Sequence, residues 1–261
     1  LRAWRGDAEV VIERLDKASF RVPAGPGGVR IEYRVFAFDA SVRRAFLDTR
    51  RGFFNGSSLF YVPQAARQLP VILQVLRPQP PAGQGWQAVS AMTPLEIDAD
   101  GFGCYRADDF EELIDHPFEL GVVERVPFEV DGQAHELVLS GRYVTDSTRI
   151  AADLARICAV ERALFGGQPR LDRYLFLTHV VGAGYGGLEH RNSTALICSR
   201  ADLPRPEAVG IGRDYRSFLG LCSHEYFHLW NVKRITAQRF AESDLSREAY
   251  SRDLWHYEGV T

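Results

Sequence analysis

The run His224-Glu225-Tyr226-Phe227-His228 restricts what this chain can fold into more than any other stretch. Two histidines four apart, within Leu221–Ile235 where no Gly or Pro intervenes, lie one turn apart on one helix face. Both imidazoles can then reach one ion. This is the H-E-x-x-H spacing of a divalent metal site, zinc above all. Glu225 follows the first histidine and leans over the open side of such a site, where a carboxylate can take a proton from a water on the metal. The alternative is a pair of histidines hydrogen-bonded on the buried side of an apolar helix. A second His-Glu pair, His135-Glu136, has Leu139 where another ligand would stand, and reads as an ordinary strand fragment.

Two histidines leave zinc short of a ligand. Glu258, thirty residues beyond His228 in Leu254-Trp-His-Tyr-Glu-Gly-Val-Thr261, is the candidate third donor. At the start of a second helix it would complete a two-His-one-Glu set for one Zn2+ per chain, with a position left for water. The same residue also reads as a solvated helix carboxylate.

The 261 residues suit one large domain or two modest ones. With 46% hydrophobic and 25% charged residues and no apolar run of bilayer length, the chain reads as soluble and globular, with no membrane partner. A formal net charge of −3 gives no broad electrostatic reason to bind nucleic acid. Cys104, Cys158, Cys198 and Cys222 form no Cys-x-x-Cys pair and read as buried free thiols, which favours the cytoplasm over the periplasm. No leader is legible at Leu1, and Thr261 stands just past Glu258, so both ends read as the edges of a fragment.

Residues 1–144 read as an N-terminal β-sandwich domain. Val29–Ala37 alternates at period two after a Gly- and Pro-rich turn, and Leu69–Leu76 is apolar before a Pro-rich turn over 77–82. Further strands are expected over 87–92, 120–126 and 136–139, with a short helix over 108–114. From Asp146 the pattern changes: Ile150, Leu154, Ile157, Val160 and Leu164 recur at helical spacing, and Gly166-Gly167 stops the helix. Arg173–Val181 reads as a buried strand, followed by a Gly-rich loop through Gly187 and a strand over 193–199. A second domain is therefore expected over 145–261, closely packed on the first.

Gly186-Gly-Leu-Glu-His-Arg-Asn-Ser-Thr194 is the other informative stretch. Adjacent glycines let a backbone approach a ligand, and the acidic Glu189 behind them can meet a cationic group on it. A flexible loop ending in a solvated Glu fits the same residues.

Taken in order, this stretch, His224-Glu-Tyr-Phe-His-Leu-Trp-Asn-Val-Lys-Arg-Ile and Leu254-Trp-His-Tyr-Glu-Gly-Val-Thr resemble the glycyl aminopeptidase family of gluzincin zinc metallopeptidases. Tyr33-Arg-Val-Phe-Ala-Phe and Gly52-Phe-Phe-Asn-Gly-Ser-Ser-Leu-Phe60 are similar to its N-terminal region. The resemblance implies an α+β fold, an N-terminal β-sandwich followed by a thermolysin-like catalytic domain truncated at its C-terminal end, because members continue into a helical region and often a PDZ domain. It implies zinc held by His224, His228 and Glu258, with Glu225 as the proton carrier. It implies that Gly186 and Gly187 lie on an edge strand lining the cleft, and that Glu189 holds the free α-ammonium of a peptide whose N-terminal Gly or Ala is removed. Where the family continues Lys-Arg-Ile into Arg-Pro, this chain has Thr236-Ala237. An endopeptidase on the same scaffold, or a peptide-binding fragment without catalysis, remain the other readings.

Overall fold

The computed structural model describes residues 1–80, 82–243 and 247–261, in two compact units, Leu1–Ala37 and Phe38–Thr261. The first unit is made of short strands: β1 (Arg2–Arg5), β2 (Ala8–Val10), β3 (Glu13–Arg14), β4 (Phe20–Arg21) and β5 (Arg30–Glu32). β1 lies between β2 and β5, antiparallel to both, and β3 pairs with β4. Of the alternating stretch 29–37, only Arg30–Glu32 joins a ladder.

The second unit opens with β6 (Ala45–Leu47), β7 (Arg51–Phe54), β8 (Val71–Val75), β9 (Gln87–Val89), β10 (Thr93–Ile97), β11 (Gly103–Ala107), helix α1 (Phe110–Ile114) and β12 (Phe118–Gly121). Strands β10-β11-β8 form one antiparallel sheet and β6-β7-β12-β9 another. Trp86, Met92, Phe102, Tyr105 and Phe118 fill the core these strands share. The turn expected over 77–82 includes Pro81, which lies outside the described residues. The helix expected over 108–114 is α1, started by Asp109, whose carboxylate accepts from the Glu112 N–H at 2.8 Å.

The remaining elements are β13 (Glu124–Val130), β14 (Gln133–Gly141), α2 (Ser147–Leu164), β15 (Arg173–Val181), β16 (Tyr185–Glu189), β17 (Ser193–Ser199), α3 (Arg213–Phe227) and α4 (Gln238–Ala241). The single strand expected over 120–126 is two, because β12 ends at Gly121, whose φ of +151° turns the chain before β13. Asp131-Gly132, at φ +50° and +73°, makes the two-residue turn that joins β13 to β14. The sheet order is β13-β14-β15-β17-β16. Its three central strands are parallel and its two edges antiparallel. A parallel strand covered on both faces must be apolar throughout, which is why Arg173–Val181 shows no alternation.

One face carries α2 and α3, sharing a core of Leu139, Leu154, Tyr174, Phe176, Phe218 and Tyr226. On the other face Val138, Leu175 and Leu177 meet Val89 and Ala91, while Ala195 meets Val42 and Phe53. Strands from both sides of the boundary expected near residue 145 share this sheet, since β14 pairs along its length with β15. The architecture is α+β and sheet-rich. Among the described residues no helix is long and apolar enough to cross a membrane.

Candidate metal centre

α3 carries the first two candidate ligands because its buried positions recur at helical spacing. Tyr215, Phe218, Leu219, Cys222 and Tyr226 face the sheet, and this fixes where His224 and Glu225 point. Tyr226 is the anchor. Its hydroxyl donates to His135 Nε2 at 2.9 Å, since His135 Nδ1–H is committed to the Gln133 carbonyl, and its ring packs on Tyr174, Phe176 and Trp230. The strand histidine without a ligand partner thus supports the helix that carries the motif.

The helix does not run on to Ile235. It ends at His228, where the Leu229 and Trp230 amides tighten onto the carbonyls of Tyr226 and Phe227. Val232 then takes φ +126°, rare for a β-branched residue. Lys233, Arg234 and Ile235 donate back to the carbonyls of His228 and Trp230, which holds this turn. Nothing in the residue types of this stretch signals the stop.

His224 Nε2 and His228 Nε2 face each other at 3.1 Å, and Glu258 Oε2 lies 3.4 Å from His224 Nε2. One ligand atom from each of His224, His228 and Glu258 lies within 4.8 Å of the others. The His228 Nδ1–H donates to the Asn231 carbonyl at 2.8 Å, which turns Nε2 into the cluster. Glu258 sits on a wide helical turn, Trp255–Val260, rather than on a regular α-helix. Asn231, buried to 2% exposure, ties this turn to the motif by donating from Nδ2 to the His256 carbonyl at 3.1 Å and to Thr261 Oγ1 at 2.8 Å. The sequence places Asn231 beside the motif but hides its role, because its partners lie 25 and 30 residues on.

A second set, Glu189, Glu225 and His228, brings ligand atoms equally close. Burial raises the Glu225 carboxyl to about 8, the Glu189 and Glu258 carboxylates add to this, and Arg43 offsets it. Burial lowers His224, the adjacent His228 adds to the effect, and the Glu258 and Glu189 charges oppose it. Among the described residues Glu225 Oε2 is buried with no hydrogen-bond partner. Three carboxylates and two inward imidazoles with an orphaned oxygen are a donor set suited to a divalent cation.

The Gly-rich stretch is strand β16, not a loop, and it forms the sheet edge beside α3. Its two glycines serve different ends. Gly186 has φ +155° with open space around it, while a Cβ on Gly187 would stand 2.2 Å from Glu225 Oε1. Gly187 therefore leaves room for the Glu225 side chain. Glu189, the last residue of β16, also lines a cavity of about 510 Å³ with Asp115, His190, Val232 and Lys233. Asp115 accepts from Lys233 Nζ at 2.8 Å and His190 Nδ1 at 3.1 Å. Burial would raise the Asp115 carboxyl, but His190 and the Lys233 ammonium together hold it well below the usual range. This cluster, unsuspected from sequence, pins the end of β16 to the turn after the motif.

The crystal structure of the aminopeptidase N family protein from Idiomarina loihiensis is similar, with 40% identity and a TM-score of 0.95 over 99% of this chain and 43% of its own. The chain thus spans less than half the length of that structure. Legionella pneumophila aminopeptidase A, solved in complex with aspartic acid, shares the fold at 12% identity and a TM-score of 0.57, over 88% of this chain and 29% of its own. No curated protein matches the chain. The N-terminal domain model of peptidase M61 matches residues 1–122, and the M61 glycyl aminopeptidase model matches 217–261, the segment that holds His224, Glu225, His228 and Glu258. With two models of one family matched in order at the two ends of the chain, and a fold shared almost end to end with a 40% identical structure, the chain belongs to the M61 glycyl aminopeptidase family.

Proposed function

We propose that this chain carries the active site of a zinc-dependent aminopeptidase that removes an N-terminal residue, Gly or Ala by preference, from peptides with a free α-amine. The observation that carries the reading is the convergence of His224, His228 and Glu258 on one point, with Glu225 and Glu189 beside it. The three ligands would hold the ion, with Asn231 orienting His228 and steadying the Glu258 turn. Bound there, zinc would supply Lewis-acid chemistry, acidifying a water and polarising the scissile carbonyl.

The chain's own groups do the rest. Glu225 accepts the proton from the attacking water and delivers it to the leaving amine, a transfer worth about 10²- to 10⁴-fold. The outer edge of β16 offers backbone groups to an extended peptide. Glu189 at its end pairs with the α-ammonium, since desolvating that charge without a carboxylate is costly. An internal peptide bond brings no such charge, so the pairing favours chain ends.

The test is steady-state kinetics of the intact protein on glycyl and alanyl peptides and their N-acetylated forms. Glu225→Gln should keep its zinc and fall to background; turnover near wild type refutes its role. Glu189→Ala should raise KM for free-amine peptides far more than for acetylated ones. Equal losses on both, or wild-type cleavage of the acetylated peptides, would replace the exopeptidase reading by an endopeptidase.

A further inference from the structure

A second cavity, of about 530 Å³, opens at the carboxyl ends of β14 and β15. Alternation along these strands puts Ser140 and His179 on the face away from α3, because Leu139 and Val180 belong to the core that α3 shares. The cavity is thus separated from the metal centre by the sheet.

Its lining is cationic in a chain whose net charge is −3. Arg50, Arg51, Arg142 and Arg200 face two carboxylates, Asp48 and Glu119. Both carboxylates are already engaged. Glu119 takes Arg51 Nε at 2.6 Å and Nη2 at 2.7 Å, and Asp48 Oδ1 takes the backbone N–H groups of Arg50 and Arg51 at 2.7 and 2.8 Å. Among the described residues Arg50, Arg142 and Arg200 make no ion pair. Arg51 is only 8% exposed and committed to Glu119, and among the described residues its Nη1 is buried with no hydrogen-bond partner, so the charge free to meet a ligand is that of Arg50, Arg142 and Arg200. Arg142 and Arg200 also line an adjoining cavity of about 330 Å³ with Arg205, which extends the cationic surface.

Ser140 Oγ and His179 Nδ1 are hydrogen-bonded at 2.8 Å in this lining. Burial, helped by the Arg51 charge, lowers His179 to about 4, so its ring is a neutral hydrogen-bonding group at physiological pH. We propose that this cavity binds a small polyanion through phosphate or carboxylate oxygens, at a site distinct from the peptide cleft. Guanidinium forks match the paired oxygens of both groups, and the volume exceeds what a lone inorganic ion fills.

Isothermal titration of the intact zinc-loaded protein with inorganic phosphate, and separately with succinate, tests this at low ionic strength. Binding is expected to weaken with added salt and to fall at least about tenfold in the Arg142→Ala/Arg200→Ala double variant. Both arginines are exposed, so that variant should keep the wild-type Tm and zinc content. Tighter binding of phosphate assigns the site to phosphorylated ligands, and tighter binding of succinate to polycarboxylates. Phosphate binding that survives the double substitution belongs to the metal centre and overturns the proposal, as does the absence of heat with either anion.

Discussion

Gly187→Ala should silence the catalytic machinery without touching a metal ligand. The three atoms nearest an added Cβ all belong to Glu225: Oε1 at 2.2 Å, Cδ at 2.4 Å and Cγ at 2.6 Å. Side chains do not approach so closely, so either the strand or the carboxyl must move. The strand is held, since Gly186 and Gly187 pair with Ile197 and Leu196 across the ladder to β17. Glu225 is therefore displaced, by an ångström or more, from the point where it can exchange a proton. Positioned proton transfer is worth about 10²- to 10⁴-fold, so kcat on a glycyl peptide should fall at least about 100-fold. Zinc content should stay at the wild-type value. Gly186→Ala is the internal control: its Cβ meets nothing, and the cost is backbone strain of about 1–3 kcal/mol, read as a lower Tm with kcat per folded molecule retained. A Gly187→Ala protein with full zinc and more than about a third of wild-type kcat would show that Glu225 is not the proton carrier in this position.

Asn231→Ala removes the side-chain ties to His256 and Thr261 but leaves the backbone carbonyl that orients His228, so zinc affinity should drop about 10- to 100-fold rather than vanish. Competition with a chromophoric chelator measures this, and an unchanged affinity sinks the tie. Glu161→Gln should change the pH dependence of stability. Burial raises this carboxyl to about 8 despite the hydrogen bond from Ser223, so its stability contribution is fully present below about 4.5 and is lost as pH rises through 8. The variant should match wild type near pH 4.5 and exceed it at pH 8 by on the order of 3 kcal/mol. Parallel urea-unfolding curves at the two pH values would contradict it.

Local patterns made the rigid parts legible. α2 could be read from its Asp146 cap, its apolar spacing and the glycines at φ +63° and +75° that end it, because all three signals lie within the helix itself. β15 could be read because burial on both faces leaves a largely apolar run, broken only by Thr178 and His179 after Arg173. The end of α3 could not. Leu229–Val232 contains no helix breaker, and the stop comes from hydrogen bonds that close only once Trp230 and Asn231 are buried. Strand β16 looked like a loop for the opposite reason: its glycines signal flexibility locally, while pairing with β17 fixes them.

The site follows the same division. The H-E-x-x-H spacing points to two candidate ligands and a candidate proton carrier because one helix turn sets all three. What stands beside them arrives from elsewhere: Glu258 from a turn thirty residues on, Gly187 from a sheet edge, Asn231 as a tie between the two segments that carry the candidate ligands. None of these contacts has a periodic signature, since each depends on how α3 lies against β16 and β17. That placement is set by Tyr226, held by His135 of β14 and stacked on Tyr174 and Phe176 of β15. The two unspecified positions of the motif are therefore not idle. One of them seats the helix, and the seating brings an otherwise repulsive set of three carboxyl groups to one place, where the proposed cation would offset their charge.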